Sequence, residues 1–204
     1  MQLAGDPAGL AAEALRHLQE GNERFRAGTA RLGRAHKDML ADLVRWQRPY
    51  ATILCCSDSR VPPELVFDAG LGELFVVRVA GNVLSAEVAG SLQYAAAHLG
   101  TPLFLVLGHE GCGAVKAAID TKVSGATQRS RIQTLVDSIM PGLSGLDLQL
   151  PPEDRLSSAV EANVRWTMRQ IQAAPEAEAA LAAGLLALVG AVYELHTGRV
   201  KWLE

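Results

Sequence analysis

YATILCCSDSR, residues 50–60, is a short apolar run rich in β-formers that breaks abruptly into a polar cluster. A run apolar at successive positions, rather than alternating, reads as a strand buried on both faces. Such a strand needs helices above and below it. Downstream, ELFVVRVA (73–80) repeats the pattern and leads to a turn at Gly81 and Asn82 and a helix over 85–99. LFLVLG (103–108), opened by Pro102, is a third such strand and runs into HEGCGAVKAAI, a helix start. LLALVGAVYEL (185–195) reads as a fourth, and TGRVKWL (197–203) supplies a turn and a short terminal strand.

Upstream, residues 8–28 place Leu10, Leu15, Leu18 and Phe25 at approximately helical spacing, with Gly28 as a stop. One short helix cannot bury that face alone, so it lies on the main body or on a second subunit. A second short helix is expected over 37–46. Residues 121–157 are broken by Gly, Ser, Pro and Asp: a helix fits at 129–140 and a loop at PGLSGLDLQLPPED (141–154), before a helix at 162–174. Strands alternating with helices predict an α/β fold. Its mainly parallel central β-sheet is flanked by helices, with an N-terminal helical arm and a short C-terminal edge strand. The chain reads as a single domain, with the arm over 1–48 and the α/β core over 49–204.

Composition narrows the function. At 204 residues, 49% hydrophobic and 20% charged, the chain can bury its own core and is not disordered. A net charge of −3 gives no electrostatic case for nucleic acid. No apolar run approaches the roughly 20 residues needed to cross a bilayer, and the first residues lack the pattern of a secretory signal. Three cysteines, two of them adjacent, make a poor disulfide framework, so a cytoplasmic location is expected. No G-x-G-x-x-G follows the first strand, and Gly70-Leu71-Gly72 lacks the third glycine of a dinucleotide binder.

Ligand sites in parallel sheets form beyond the carboxyl ends of the strands. The polar clusters lie there. In Cys56-Ser57-Asp58-Ser59-Arg60, an extended chain would turn Cys56, Asp58 and Arg60 to one face and Cys55 to the other, where it packs as an inert buried thiol. In Gly108-His109-Glu110-Gly111-Cys112-Gly113, His109 and Cys112 face one way if they share a helical turn. Each cluster alone reads as easily as a loop ion pair or a satisfied core histidine. Together they offer two thiolates, an imidazole and a carboxylate, a set that tetrahedral Zn²⁺ accepts and Mg²⁺ or Ca²⁺ does not favour. Asp58 as a ligand with Arg60 two residues on suggests a gate, because an arginine can draw the carboxylate away and open a position for water. Two thiolates neutralise the ion and should acidify that water less than three histidines do. A released Asp58, held ionised by Arg60, compensates by accepting its hydrogen bond.

Cys-x-Asp-x-Arg followed by His-x-x-Cys resembles the β-class carbonic anhydrases. The likeness extends through LQEGNERFRAG (18–28), CSDSRVPPELVFDAGLGELFVVRVAGNV (56–83), GHEGCGAV (108–115) and LVGAVYELHTGRVKWL (188–203). The resemblance implies one Zn²⁺ per chain on Cys56, His109 and Cys112, with Asp58 as fourth ligand when closed and as partner of Arg60 when active. It implies reversible hydration of CO₂ to bicarbonate by attack of zinc-bound hydroxide. Gln47 matches a glutamine that hydrogen-bonds substrate oxygen, or else is a polar helix end. Phe75 and Tyr94 match aromatic positions near the substrate cleft, though both read equally as core. Gly113 offers a backbone N–H to a bound anion. Arg78 matches an interface or regulatory arginine and could equally be a structural partner. A homodimer or dimer of dimers is implied as well.

Ile53 stands where the bicarbonate-inhibited members carry tryptophan, so that noncatalytic pocket is expected to be absent or altered. His17, His36, His98 and His196 read as surface or structural, and none marks itself as a proton shuttle. A hydrolase of carbonyl sulfide or carbon disulfide on the same fold, and a noncatalytic zinc-stabilised scaffold, remain the competing readings.

Overall fold

The computed structural model describes residues 6–31 and 37–203. Five strands form one sheet in the order β2-β1-β3-β4-β5: β1 (Ala51–Cys55), β2 (Leu74–Arg78), β3 (Leu103–His109), β4 (Ala187–Tyr193) and β5 (Val200–Leu203). The first four are mutually parallel, and β5 returns antiparallel to β4. Every residue of β1 and β3 is buried, as their unbroken apolar runs require of central strands.

The pleat sorts those runs into two layers. Leu54, Phe104 and Val106 pack on one face with residues of α4 (Ala86–Tyr94), α5 (Gly113–Ser124), α6 (Ser130–Ile139) and α7 (Pro152–Gln172). Ile53, Cys55, Leu103, Leu105 and Leu107 pack on the other with α1 (Pro7–Arg26) and α3 (Pro63–Val66). Cys55 and Cys56 therefore belong to opposite layers, as alternation predicts. α2 (Lys37–Leu43) and α8 (Pro175–Ala182) complete the described helices. Among the described residues, no helix is long and apolar enough to cross a membrane.

The expected and observed elements differ most after residue 140. Met140–Leu143 forms a 3₁₀ turn, and α7 starts at Pro152, ten residues ahead of the expected 162. Pro152 is the reason: proline is tolerated in a first helical turn, and Glu153 and Asp154 complement the helix dipole there. α8 has no counterpart among the expected elements, and β4 begins two residues later than the pattern predicts. The helix over 85–99 is α4 continued by a π-helical turn, Ala95–Leu99.

The N-terminal helix lies on its own main body. Ala14 and Leu18 are buried against Ile53 and Phe67. Asn22 is fully buried and satisfied: its Nδ2 donates to the Val66 and Gly198 carbonyls at 3.2 and 2.8 Å, and its Oδ1 accepts from Val200 N at 2.9 Å. Those bonds stitch α1 to α3 and to β5. Asp68, just after α3, accepts from Arg24 Nε and from Arg31 N.

Gly21 makes this contact close. A Cβ there would stand 1.9 Å from the Phe67 carbonyl oxygen, a backbone atom that cannot swing aside. Gly21→Ala is therefore expected to lever α1 off the sheet at a cost of about 3 kcal/mol or more. That corresponds to a Tm lower by roughly 6–12 °C for a chain of this size, read by thermal unfolding beside wild type. An unchanged Tm would show that α1 contributes little to stability.

Candidate metal centre

β1 ends at Cys55, and Cys56 turns its side chain into the layer of Leu54 and Val106. β3, next to it in the sheet, ends at His109, which is fully buried. The chain then reverses through Gly111 at φ +66°, where a side chain would be strained, and returns Cys112 as the N-cap of α5. The candidate ligand atoms of Cys56, His109 and Cys112 all lie within 4.8 Å of one another, and all three residues are buried.

Two local expectations are corrected here. His109 and Cys112 meet across a turn between strand and helix, not on one helical turn, because Gly111 takes the chain out of helical geometry. Asp58 and Arg60 meet across a turn as well, since β1 stops at Cys55. Arg60 N donates to Asp58 Oδ1 at 3.0 Å and Val61 N to the Asp58 carbonyl at 3.1 Å, folding Arg60 back over the carboxylate.

The donor set fits a metal ion on three counts. First, His109 Nδ1 lies 2.9 Å from the Glu110 carbonyl, which can only accept, so Nδ1 carries the proton. Nε2 is then a lone-pair nitrogen, buried, with no hydrogen-bond partner. Burying an unpaired polar atom costs about 1–3 kcal/mol, and a cation removes that cost. Second, tetrahedral ligands at 2.0–2.3 Å stand about 3.3–3.8 Å apart, and these atoms already lie within 4.8 Å of one another. Third, soft sulfur with imidazole selects zinc-like ions over oxygen-seeking ones.

The electrostatics agree. Cys112 stands beside Cys56 in the ligand cluster, and Gly81 N–H reaches Cys56 Sγ at 3.3 Å. The neighbouring Cys112 side chain and the Gly81 bond drive the Cys56 thiol down, whereas Cys112 is pushed up by Cys56 and by burial. A bound cation would take the place of the thiol protons. Cys55, in the opposite layer, is raised to about 12 by burial and stays an inert thiol.

Asp58 is gripped by Arg60 through two parallel bonds, Nε to Oδ1 at 2.9 Å and Nη2 to Oδ2 at 2.8 Å. Its Oδ2 nevertheless lies only 3.9 Å from His109 Nε2. The Arg60 guanidinium holds the carboxyl well below the usual carboxylate range. Arg78 Nε donates to the Cys56 carbonyl at 3.1 Å and its Nη2 to the Asp58 carbonyl at 2.6 Å, fastening the loop that carries both residues.

A family model described as carbonic anhydrase matches residues 51–200, a span that contains every one of these groups. The chain belongs to the β-class carbonic anhydrase family. Carbonic anhydrase 2 of Mycobacterium tuberculosis is 40% identical over 190 residues, covering 91% of this chain and 89% of that protein. The carbonic anhydrase of Mycolicibacterium smegmatis is also 40% identical, covering 92% and 91%. Among solved structures, the Coccomyxa β-carbonic anhydrase in complex with acetazolamide superposes with a TM-score of 0.73 at 26% identity, covering 98% of this chain and 87% of that one.

The remaining family positions are scattered in the single chain. Gln47 is exposed in the segment before β1. Phe75 pairs with Thr52 in the sheet, so it sits about 13 Å along the strand direction from Cys56. Its ring lies 6.2 Å from that of Tyr94, which is 47% exposed. Gly113 opens α5 next to Cys112, and a Cβ there would meet nothing within 4 Å, so the space beside its backbone is open. Ile53 is completely buried in the layer under α1. His17 lies edge-on to Tyr50, and His98 stacks on Tyr94 at 4.9 Å. His36 lies outside the described residues.

Sequence patterning missed the support behind Cys56. Asn163 Nδ2 on α7 donates to the Gly81 carbonyl at 2.8 Å, and Thr167 Oγ1 to the Asn82 carbonyl at 3.2 Å. They hold the turn whose Gly81 N–H meets the Cys56 sulfur. The turn itself was legible from Gly81 and Asn82. Its distant donors carried no local signal.

Proposed function

We propose that this chain catalyses the reversible hydration of CO₂ to bicarbonate, with one Zn²⁺ held by Cys56, His109 and Cys112. The observation that carries this reading is the buried Cys56-His109-Cys112 cluster with Asp58 drawn aside by Arg60. When bound, the metal supplies Lewis acidity that makes a water acidic enough to act as nucleophile near neutral pH.

The chain's own residues do the rest. Asp58 Oδ2, ionised and 3.9 Å from His109 Nε2, accepts a hydrogen bond from the attacking water and orients it toward the carbon of CO₂. Arg60 keeps that oxygen unprotonated and out of the ligand cluster. Loss of the Arg60 grip frees Asp58 to join the cluster as a fourth ligand, which closes the gate. Gly113 N–H, beside open space, meets the anionic product, and Gln47 contributes its amide to substrate oxygen.

Phe75 and Tyr94, remote from the cluster in their own chain, line the cleft of a neighbouring copy. A homodimer, alone or paired into a tetramer, is thus the working unit. Three unpaired, buried cysteines support a cytoplasmic setting.

Stopped-flow CO₂ hydration with zinc-quantified protein tests this between about pH 6.5 and 9, where such a water titrates. Activity should scale with zinc content and rise with pH. Asp58 does not produce that rise. A depressed carboxyl is ionised above its unfolded value of about 3.9, and the Arg60 pair is lost only as pH falls below that. No hydration at one zinc per chain would turn the reading toward a carbonyl sulfide or carbon disulfide hydrolase, or a scaffold. Carbonyl sulfide hydrolysis separates those two.

A further inference from the structure

Glu110 stands between two metal-binding residues, His109 and Cys112, without belonging to the ligand cluster. Its side chain is 45% exposed, a position where almost any polar residue would be tolerated. Yet its Oε2 accepts three hydrogen bonds from the turn between β4 and β5: Leu195 N at 2.8 Å, His196 N at 3.4 Å and His196 Nδ1 at 2.8 Å. Its peptide makes two more. Glu110 N donates to the Tyr193 carbonyl at 2.8 Å, and the Glu110 carbonyl accepts from His109 Nδ1 at 2.9 Å.

We propose that Glu110 is a positioning residue for the metal-ligating imidazole. β3 and β4 remain in register to their last pair, His109 with Tyr193, and one further backbone bond, Glu110 N to the Tyr193 carbonyl, follows before the two segments turn away. The Glu110 carboxylate continues the closure, clamping the turn after β3 onto the turn after β4. Its carbonyl is then fixed in direction. Among the described residues that carbonyl is the partner of His109 Nδ1, so it selects the tautomer and the ring tilt that leave Nε2 to the ligand cluster. His196, which the sequence reads as surface or structural, is part of the clamp.

This inference rests on the metal-centre reading, and the test separates the two. Loss of a ligand's direct outer partner typically costs 10- to 100-fold in metal affinity, and Glu110→Ala, which keeps the carbonyl and removes only its clamp, belongs at the low end of that range. Glu110→Ala should raise the dissociation constant for Co²⁺, measured by chelator competition, about 10-fold, and alter the visible ligand-field spectrum of the Co²⁺-loaded protein. Glu110→Gln keeps an acceptor oxygen at the same reach and should recover most of both. Because Glu110 is half exposed, neither variant threatens folding, which the melting of the metal-free proteins verifies. Glu110→Ala with wild-type affinity and spectrum overturns the proposal, as does a lower melting temperature with the metal properties unchanged. Wild type failing to take up one Co²⁺ per chain overturns the metal reading beneath it.

Discussion

Cys56→Ser is expected to purify with little or no zinc and to lose CO₂ hydration. A protein zinc site is worth about 10–16 kcal/mol at pH 7. Dividing that among its ligands, removal of one costs about 4 kcal/mol, roughly 10³-fold in affinity. Serine keeps the size of the side chain but presents a hydroxyl that is not ionised near neutral pH, and the Gly81 N–H loses the thiolate it now faces. The residue sits in the layer built by Leu54, Val83 and Val106, so the fold keeps its apolar support. Elemental analysis of metal per chain, with hydration rates on the same preparations, checks the expectation. A variant retaining one zinc and full activity would remove Cys56 from the centre.

On the proposed function, Asp58→Asn is expected to leave the zinc in place and to take away the charge that would handle water. The amide is nearly isosteric but neutral, and its nitrogen cannot accept from Arg60. At least one of the two parallel bonds, at 2.8 and 2.9 Å, is lost with the ion pair. The predicted fall in kcat is about 10²–10³-fold, the scale of losing one preorganised polar group at a reacting centre. Zinc content should stay near one per chain. Stability should change little, because Arg60 is more than half exposed and such surface pairs contribute only about 0–1 kcal/mol. Stopped-flow rates, metal analysis and thermal unfolding on one preparation distinguish this outcome from general damage. Full activity in Asp58→Asn would end the gate hypothesis.

The two variants probe different parts of the site. One tests whether sulfur holds the ion, and the other whether a carboxylate outside the ligand cluster controls what happens next to it. Together with the Glu110 variants, they test the proposed ligands, gate and support separately.

Much of the architecture was legible because burial on both faces leaves a plain record. The apolar runs at 51–55 and 103–108 became the central strands β1 and β3, buried at every position, whereas the similar run at 73–80 became β2 at the edge of the sheet, only partly buried. The polar residues that terminate those runs had to emerge at the carboxyl end of the sheet, which is why Cys56 and His109 were readable as neighbours from separate stretches. The region after residue 140 was harder. Its helix begins at Pro152 with a charged, poorly periodic first turn, so hydrophobic spacing marks it only from about the middle onward.

By itself, then, the sequence determined the identity of the donor atoms, the strands that carry them and the opposite facing of Cys55 and Cys56. Those properties follow from side-chain chemistry and the two-residue period of a strand. Tertiary structure decided how the donors meet. The reversal at Gly111, the fold of Arg60 back onto Asp58 and the clasp of Arg78 on two carbonyls are turn geometries with no periodicity to betray them. It also decided that α1 packs on its own sheet, that Asn163 holds the Gly81 carbonyl from 82 residues away, and that Glu110 bonds to Leu195 across 85 residues of chain. Hydrogen bonds between distant segments depend on where the chain has already been folded, and no local pattern encodes that.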